Sequence, residues 1–313
     1  MTMAILLAGD FDAAERQQWL TLLQQALPGE TLVADRSEVD ADTIEIAIVA
    51  NPPRAALEGL SKLRLIQSLW AGVDKLLADP TLPREVPLAR MVDPAMSEAM
   101  AETALWAVLS LQRGFFALAA AQRDAHWRQV AQRRAAEVPV AVLGLGQMGR
   151  AVAHRLVRNG YRVTGWSTSP TPVAGIASFA GRAALHEVLA GAEIVVNLLP
   201  LTAATSALFD RATFAEMRRG ASLVNLARGA HVVDADLLDA LDSGQLQHAV
   251  LDVFHTEPLP AGHRFWSHPR VTVLPHVAAQ TDPRSAARIA AANVRALRAG
   301  APLQHLVDRQ RGY

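Results

Sequence analysis

The 313-residue chain contains no cysteine. That absence removes thiolate catalysis, iron–sulfur ligation and Cys-based zinc sites together. Any redox chemistry must then use a bound organic cofactor, and a cysteine-free chain fits the cytosol. A surplus of one charge is also missing, since thirty basic residues balance thirty acidic ones at a pI near 7.2. A nucleic-acid binder normally shows a basic excess, so nucleic acid is not expected as a partner. Lysine is almost absent, Lys62 and Lys75 being the only two. The nearest thing to a basic patch, Arg128, Arg133 and Arg134, lies in a Gln-rich connecting segment and reads as a solvated face.

Long apolar runs are lacking too. The longest, Ala104 to Leu111 and Val138 to Gly146, fall well short of the roughly 18 to 20 residues of a membrane span. Met1 to Gly9 has no basic residue ahead of its apolar stretch, and Asp10 and Asp12 close it too early for a secretory signal. The segment reads as a first buried strand, and no membrane partner is expected. His248, His255, His263 and His268 do not have zincin spacing, so no metal site is expected either.

What is present is an ordinary, rather apolar composition, 51% hydrophobic and 19% charged with a mean hydropathy of +0.15. At roughly 150 residues per domain the length predicts about two domains. The first part alternates apolar runs with helical patterns: a strand over Met3 to Ala8, a helix from about Asp12 to Leu27 stopped by Pro28 and Gly29, then strands at Ile44 to Ala50, Leu63 to Leu69 and Val86 to Val92. From Asp93 a long helix is expected to run through Phe116 and bridge the domains. A second series of six strands follows, at 138–143, 161–166, 193–199, 221–226, 248–253 and 271–275, with a closing helix over Arg284 to Arg298. The expectation is α/β throughout: two Rossmann-like or flavodoxin-like domains with doubly wound parallel sheets and helices on both faces. The substrate-binding domain is expected to be discontinuous, 1–97 plus 285–313, and the dinucleotide-binding domain to occupy 98–284.

Gly144-Leu145-Gly146-Gln147-Met148-Gly149 is G-x-G-x-x-G, a weak pattern alone but here placed between a strand and a helix. Gly144 would make the tight turn, Gly146 would let a pyrophosphate approach the backbone, and Gly149 would let helix pack on strand. The helix N-terminus then favours the negative charge. At the end of the next strand, where an acid marks an NAD site and an arginine an NADP site, stand Ser167, Thr168 and Ser169. The chemistry of these hydroxyls leaves the choice of cofactor open.

Ligands of such sheets sit outside the carboxyl ends of the strands, and three polar residues follow apolar runs there: Arg228, Glu257 and His276. Arginine offers a planar fork to a carboxylate, histidine exchanges protons near neutral pH, and a neighbouring carboxylate orients the imidazole and favours its cation. The trio suits binding of a 2-keto acid and protonation of its carbonyl.

Three stretches around these residues carry a family resemblance: Asn225-Leu226-Ala227-Arg228-Gly229 with Val233 and Asp234; Leu251-Asp252-Val253-Phe254 with Glu257 and Pro258; and Pro275-His276-Val277-Ala278. They resemble the signatures of the D-isomer-specific 2-hydroxyacid dehydrogenases, and Asn197 to Leu201 and Val307 to Tyr313 resemble its glyoxylate and hydroxypyruvate reductase branch. The resemblance implies Arg228 as carboxylate and carbonyl binder, Glu257 as the histidine's partner and His276 as acid and base. It implies that the glycine loop, Leu199, Pro200, Ala227 and Asp252 line the cofactor, and that Ala71, Gly72 and Val73 offer backbone N–H groups to the substrate carboxylate. It also implies NAD(P)H-dependent reduction of small 2-keto acids, a homodimer formed through the nucleotide-binding domain, and substrate held between domains that close. Two departures stand out. Trp70 replaces a small residue before the carboxylate-binding turn and is expected to shape the substrate site, and Thr168, Pro170 and Thr171 replace the branch's basic residues. NADP is expected as the preferred cofactor, with NAD admitted. A dinucleotide-sensing, corepressor-like binding protein on the same fold is the alternative reading.

Overall fold

The computed structural model describes residues 3–313 and divides into two compact units, one running up to Ala95 and resuming at Thr281–Tyr313, the other Met96–Gln280.

The first unit contains β1 (Ala4–Gly9), α1 (Ala13–Ala26), β2 (Thr31–Val33), β3 (Ile44–Ala50), β4 (Leu65–Ser68), the short α2 (Asp74–Leu77) and β5 (Leu88–Ala89). Its five strands are all parallel in the order β2-β1-β3-β4-β5, one of the two common doubly wound orders. β3 is buried along its whole length, which is why its sequence is continuously apolar apart from Glu45. Asp12 caps α1 by accepting the N–H of Glu15 at 2.8 Å.

The second unit holds most of α3 (Pro94–Arg113), then α4 (Phe115–Arg123), β6 (Pro139–Leu143), α5 (Gln147–Arg158), β7 (Arg162–Ser167), β8 (Ala177–Ala180), α6 (Arg182–Gly191), β9 (Ile194–Asn197), α7 (Arg211–Glu216), β10 (Ala221–Asn225), α8 (Asp234–Asp242), β11 (Leu246–Leu251) and β12 (Val271–Val273). Its seven parallel strands run β12-β11-β10-β9-β6-β7-β8. The chain winds outward from β6 in both directions, so the switch point lies between β6 and β9. The closing helix α9 (Pro283–Arg298) belongs to the first unit, where Ala286, Ala287, Ala290 and Ala291 form a small-residue stripe packed into the same core as Trp19 and Leu23 of α1.

Three differences from the sequence reading have local causes. The expected helix through Phe116 breaks at Gly114, whose φ of +67° suits glycine, and α4 departs at 67° from α3. β2 and β8 are additional edge strands of three and four residues, too short to give a period-2 pattern. The expected strand over Val86 to Val92 pairs only through Leu88–Ala89, at the sheet edge. Among the described residues no single helix is long and apolar enough to cross a membrane.

Candidate active site and cofactor cradle

The glycine loop leaves β6 at the switch point, and each glycine does what its position requires. Gly144 has φ +96°, and a Cβ there would lie 2.6 Å from the Leu198 carbonyl oxygen at the end of β9. A Cβ on Gly149 would lie 1.7 Å from the Gly144 carbonyl oxygen, so only glycine lets α5 start this close to the loop. Gly146 differs, because a Cβ there would meet nothing within 4 Å; its bare backbone faces open space at the N-cap of α5. No side chain caps this twelve-residue helix. Uncapped N–H groups at a helix start suit a phosphate, so the residues present fit a dinucleotide. Gln147 is exposed and Met148 half-buried beside them.

Ser167 ends β7 and is buried, its hydroxyl donating to the Ser169 carbonyl at 2.7 Å. The exposed side chains there are Thr168 and Ser169, so they, rather than Ser167, present hydroxyls to solvent. Pro200 is half-buried, whereas Leu199, Ala227 and Asp252 are buried. These last three are also expected beside the cofactor, and their side chains are buried in this structure. Leu199 packs in the core on one side of the sheet. Asp252, only 1% exposed, accepts the N–H groups of Val277 at 2.7 Å and Ala278 at 3.1 Å. Its burial pushes the carboxyl up from its ordinary range, while the two backbone N–H groups favour the anion. Asp252 thus holds the turn that follows β12.

That turn carries His276, an exposed residue at φ +55°, a left-handed conformation that costs energy for any side chain but glycine. The Asp252 carbonyl accepts the His276 N–H at 2.9 Å, so main chain and carboxylate together impose the turn. The Nδ1 of His276 lies 2.7 Å from Glu257 Oε2, while Glu257 Oε1 accepts the N–H of Phe254 at 2.9 Å. With Nδ1–H donating to the carboxylate, Nε2 is the ring atom left to exchange a proton. Arg228 follows β10, half-buried, with its guanidinium donating to the Ala227 carbonyl at 2.7 Å. Gly229 joins the Arg228 turn to the Glu257 loop, since a Cβ on it would lie 1.9 Å from the Phe254 carbonyl carbon. Arg228, Glu257 and His276 therefore follow three adjacent strands, β10, β11 and β12.

A family model described as D-isomer specific 2-hydroxyacid dehydrogenase, NAD binding domain, matches residues 105–278. The chain belongs to this family. The dehydrogenase is 41% identical to a glyoxylate/hydroxypyruvate reductase A of Serratia proteamaculans over 302 residues, 95% of this chain and 96% of that one. A D-isomer specific 2-hydroxyacid dehydrogenase of Xanthobacter autotrophicus Py2, solved with NADPH and MES, superposes with a TM-score of 0.94 at 40% identity and full coverage of both chains. An NADPH-dependent glyoxylate/hydroxypyruvate reductase of Sinorhizobium meliloti, solved with NADP and sulfate, gives 0.92 at 34% identity, again with full coverage of both chains.

In the dehydrogenase's other unit, the turn Ala71-Gly72-Val73 follows β4 and leads into α2. Val73 is buried, so this turn presents main chain rather than the valine side chain. Trp70 is half-buried and packs edge-on against Trp19, ring centroids 6.4 Å apart, with its ring joining the core of that unit. The indole, expected at the substrate site, keeps part of its surface exposed. Among the described residues no group of three or more His, Asp and Glu side chains is arranged to hold a metal.

Proposed function

We propose that this dehydrogenase reduces small 2-keto acids, glyoxylate and hydroxypyruvate foremost, to 2-hydroxy acids, with NADPH preferred over NADH. The observation that carries the reading is the 2.7 Å pair of His276 and Glu257 next to the Arg228 turn. Relatives of the same length bear the reductase name, and two solved neighbours hold NADPH or NADP. Gly144, Gly146, Gln147, Met148 and Gly149 would hold the cofactor's phosphates, with Thr168 and Ser169 toward its ribose and Pro200 alongside. A reduced nicotinamide, when bound, supplies the hydride.

The chain's own residues do the rest. Arg228 anchors the carboxylate and carbonyl oxygens through its planar fork. His276 gives the proton on Nε2 to the carbonyl oxygen as charge develops there, and Glu257 holds the ring in orientation and offsets the imidazolium charge. The turn Ala71 to Val73 is assigned carboxylate binding through its backbone N–H groups. Steady-state turnover of glyoxylate, hydroxypyruvate and phenylpyruvate tests the substrate class. The small acids are expected to lead, and a preference for phenylpyruvate would overturn it.

A homodimer is proposed through the nucleotide-binding unit. Trp106 and Leu109 of α3, Phe115 of α4 and Trp127, which is 90% exposed, are all large apolar side chains left in solvent within that unit. Exposed apolar side chains of this size suit an interaction surface. Light scattering should give a dimer for the wild type and a monomer for Trp127→Glu; a wild-type monomer would refute it.

A further inference from the structure

Beneath the Arg228 turn lie three polar side chains that the chemistry above does not use. Asn197 at the end of β9, Asn225 at the end of β10 and His231 are each 0% exposed. The Oδ1 of Asn197 accepts the Leu199 N–H at 3.2 Å, which fixes its Nδ2 on the other side. That nitrogen donates to Asn225 Oδ1 at 3.0 Å and to His231 Nδ1 at 3.0 Å. Asn225 Oδ1 also accepts the Ala227 N–H at 3.3 Å, and its Nδ2 donates to the Arg228 carbonyl at 2.9 Å. The remaining ring nitrogen, His231 Nε2, lies 3.3 Å from the Pro200 carbonyl, a group that only accepts. One tautomer meets both neighbours: a proton on Nε2 and a lone pair on Nδ1. A doubly protonated ring would turn an N–H against the Asn197 amide.

Buried amides and imidazoles cost stability unless they are bonded, and a fully bonded set is rigid. This set ties two strand-end loops together, Leu199-Pro200 on one side and Ala227-Arg228 on the other. We propose that His231, acting with Asn197 and Asn225, is a positioning residue for Arg228. It fixes the main chain from which the guanidinium reaches the keto acid. The proposal rests on the reading of Arg228 as substrate binder. His231→Phe keeps the ring's bulk but neither accepts from Asn197 nor donates to Pro200, so it releases the turn without opening a large cavity.

The test is a kinetic double-variant cycle with glyoxylate at saturating NADPH, on wild type, His231→Phe, Arg228→Lys and the double variant, with NADPH affinity read by fluorescence titration. His231→Phe is expected to lower kcat/KM by about 10- to 100-fold, mostly through KM, while NADPH affinity stays within about 3-fold. In the Arg228→Lys background the same change should cost less than about 3-fold, because the group it positions is already gone. Losses that multiply, or NADPH affinity falling in parallel with kcat/KM, would assign His231 a merely structural role and overturn the proposal. Should His231→Phe fail to fold, Asn225→Ser takes its place with the same criteria, since it removes the donor to the Arg228 carbonyl. A wild type without glyoxylate turnover would reject the keto-acid reading, and the positioning role would fall with it; turnover with a multiplicative cycle rejects the positioning role alone.

Discussion

Glu257 divides its carboxylate between His276 and the main chain: Oε2 lies 2.7 Å from the imidazole Nδ1, and Oε1 accepts the Phe254 N–H at 2.9 Å. The acid is thus fixed to its own loop while it orients the ring. Because His276 also sits on a left-handed backbone held by Asp252, ring position is set from two sides.

His276→Gln should keep NADPH binding and lower keto-acid turnover by roughly 10²- to 10⁴-fold, the usual contribution of a positioned general acid. Glu257→Gln keeps the shape but not the charge that offsets the imidazolium, so kcat should fall while KM for glyoxylate stays close to wild type. Single-turnover measurements separate these terms. A Glu257→Gln enzyme altered only in KM would show that the pair does not act in the chemical step.

Arg228→Lys should fail to restore substrate binding, because an ammonium lacks the planar fork that grips a carboxylate. The expected signature is a KM for glyoxylate raised by tenfold or more, on the order of one lost charged hydrogen bond. Wild-type kinetics in this variant would contradict bidentate anchoring.

Cofactor preference follows from the end of β7. No acid stands there to bind the ribose hydroxyls or repel a 2'-phosphate, and the exposed groups are the hydroxyls of Thr168 and Ser169. NADPH should be preferred over NADH, but by less than about 100-fold, since one charged contact is worth about 1.5 to 3 kcal/mol and none is supplied by these hydroxyls. Thr168→Asp should reverse the order by adding a repulsive charge at an exposed position. The ratio of specificity constants for the two cofactors checks both statements, and a wild-type preference for NADH would refute the first.

His248 gives the fold a pH dependence separate from catalysis. Its ring is buried, stacks on Phe116 with centroids 4.6 Å apart, and meets Thr272 Oγ1 at 2.9 Å. Burial first, and then the charges of His268 and Arg270, lower its pKa from 6.5 to about 4. The unfolded chain therefore binds the proton more readily. This contribution is complete above about pH 6.5, is lost as pH falls toward 4, and amounts to about 3 kcal/mol at most. Chemical denaturation of wild type and His248→Gln between pH 4 and 7 should show a shallower pH slope in the variant. Equal slopes would place the titration elsewhere.

The main architecture was legible because both sheets are parallel and their central strands are nearly continuous apolar runs, as in Ile44–Ala50 and Pro139–Leu143. Arg228, Glu257 and His276 were legible for the same reason, each standing just past such a run. The edge strands β2 and β8 were not, being too short for a pattern. Burial at the strand ends was equally hidden: nothing in the spacing of Leu199, Ala227 and Asp252 says that their side chains are buried, nor that Trp70 leans on Trp19 from 51 positions away. His231 gave no sequence signal, because its partners Asn197 and Pro200 reach it only through the pairing of β9 with β10.

The proposed chemistry requires His276 to protonate a small 2-keto acid while NADPH is consumed. Mixing the wild-type enzyme and His276→Gln with NADPH and glyoxylate, and following the nicotinamide absorbance alongside cofactor fluorescence, tests it most directly. Tight NADPH binding is expected of both proteins, and rapid, glyoxylate-dependent oxidation by the wild type alone. Binding of NADPH by both with no oxidation by either would contradict it and favour a dinucleotide sensor built on the same fold.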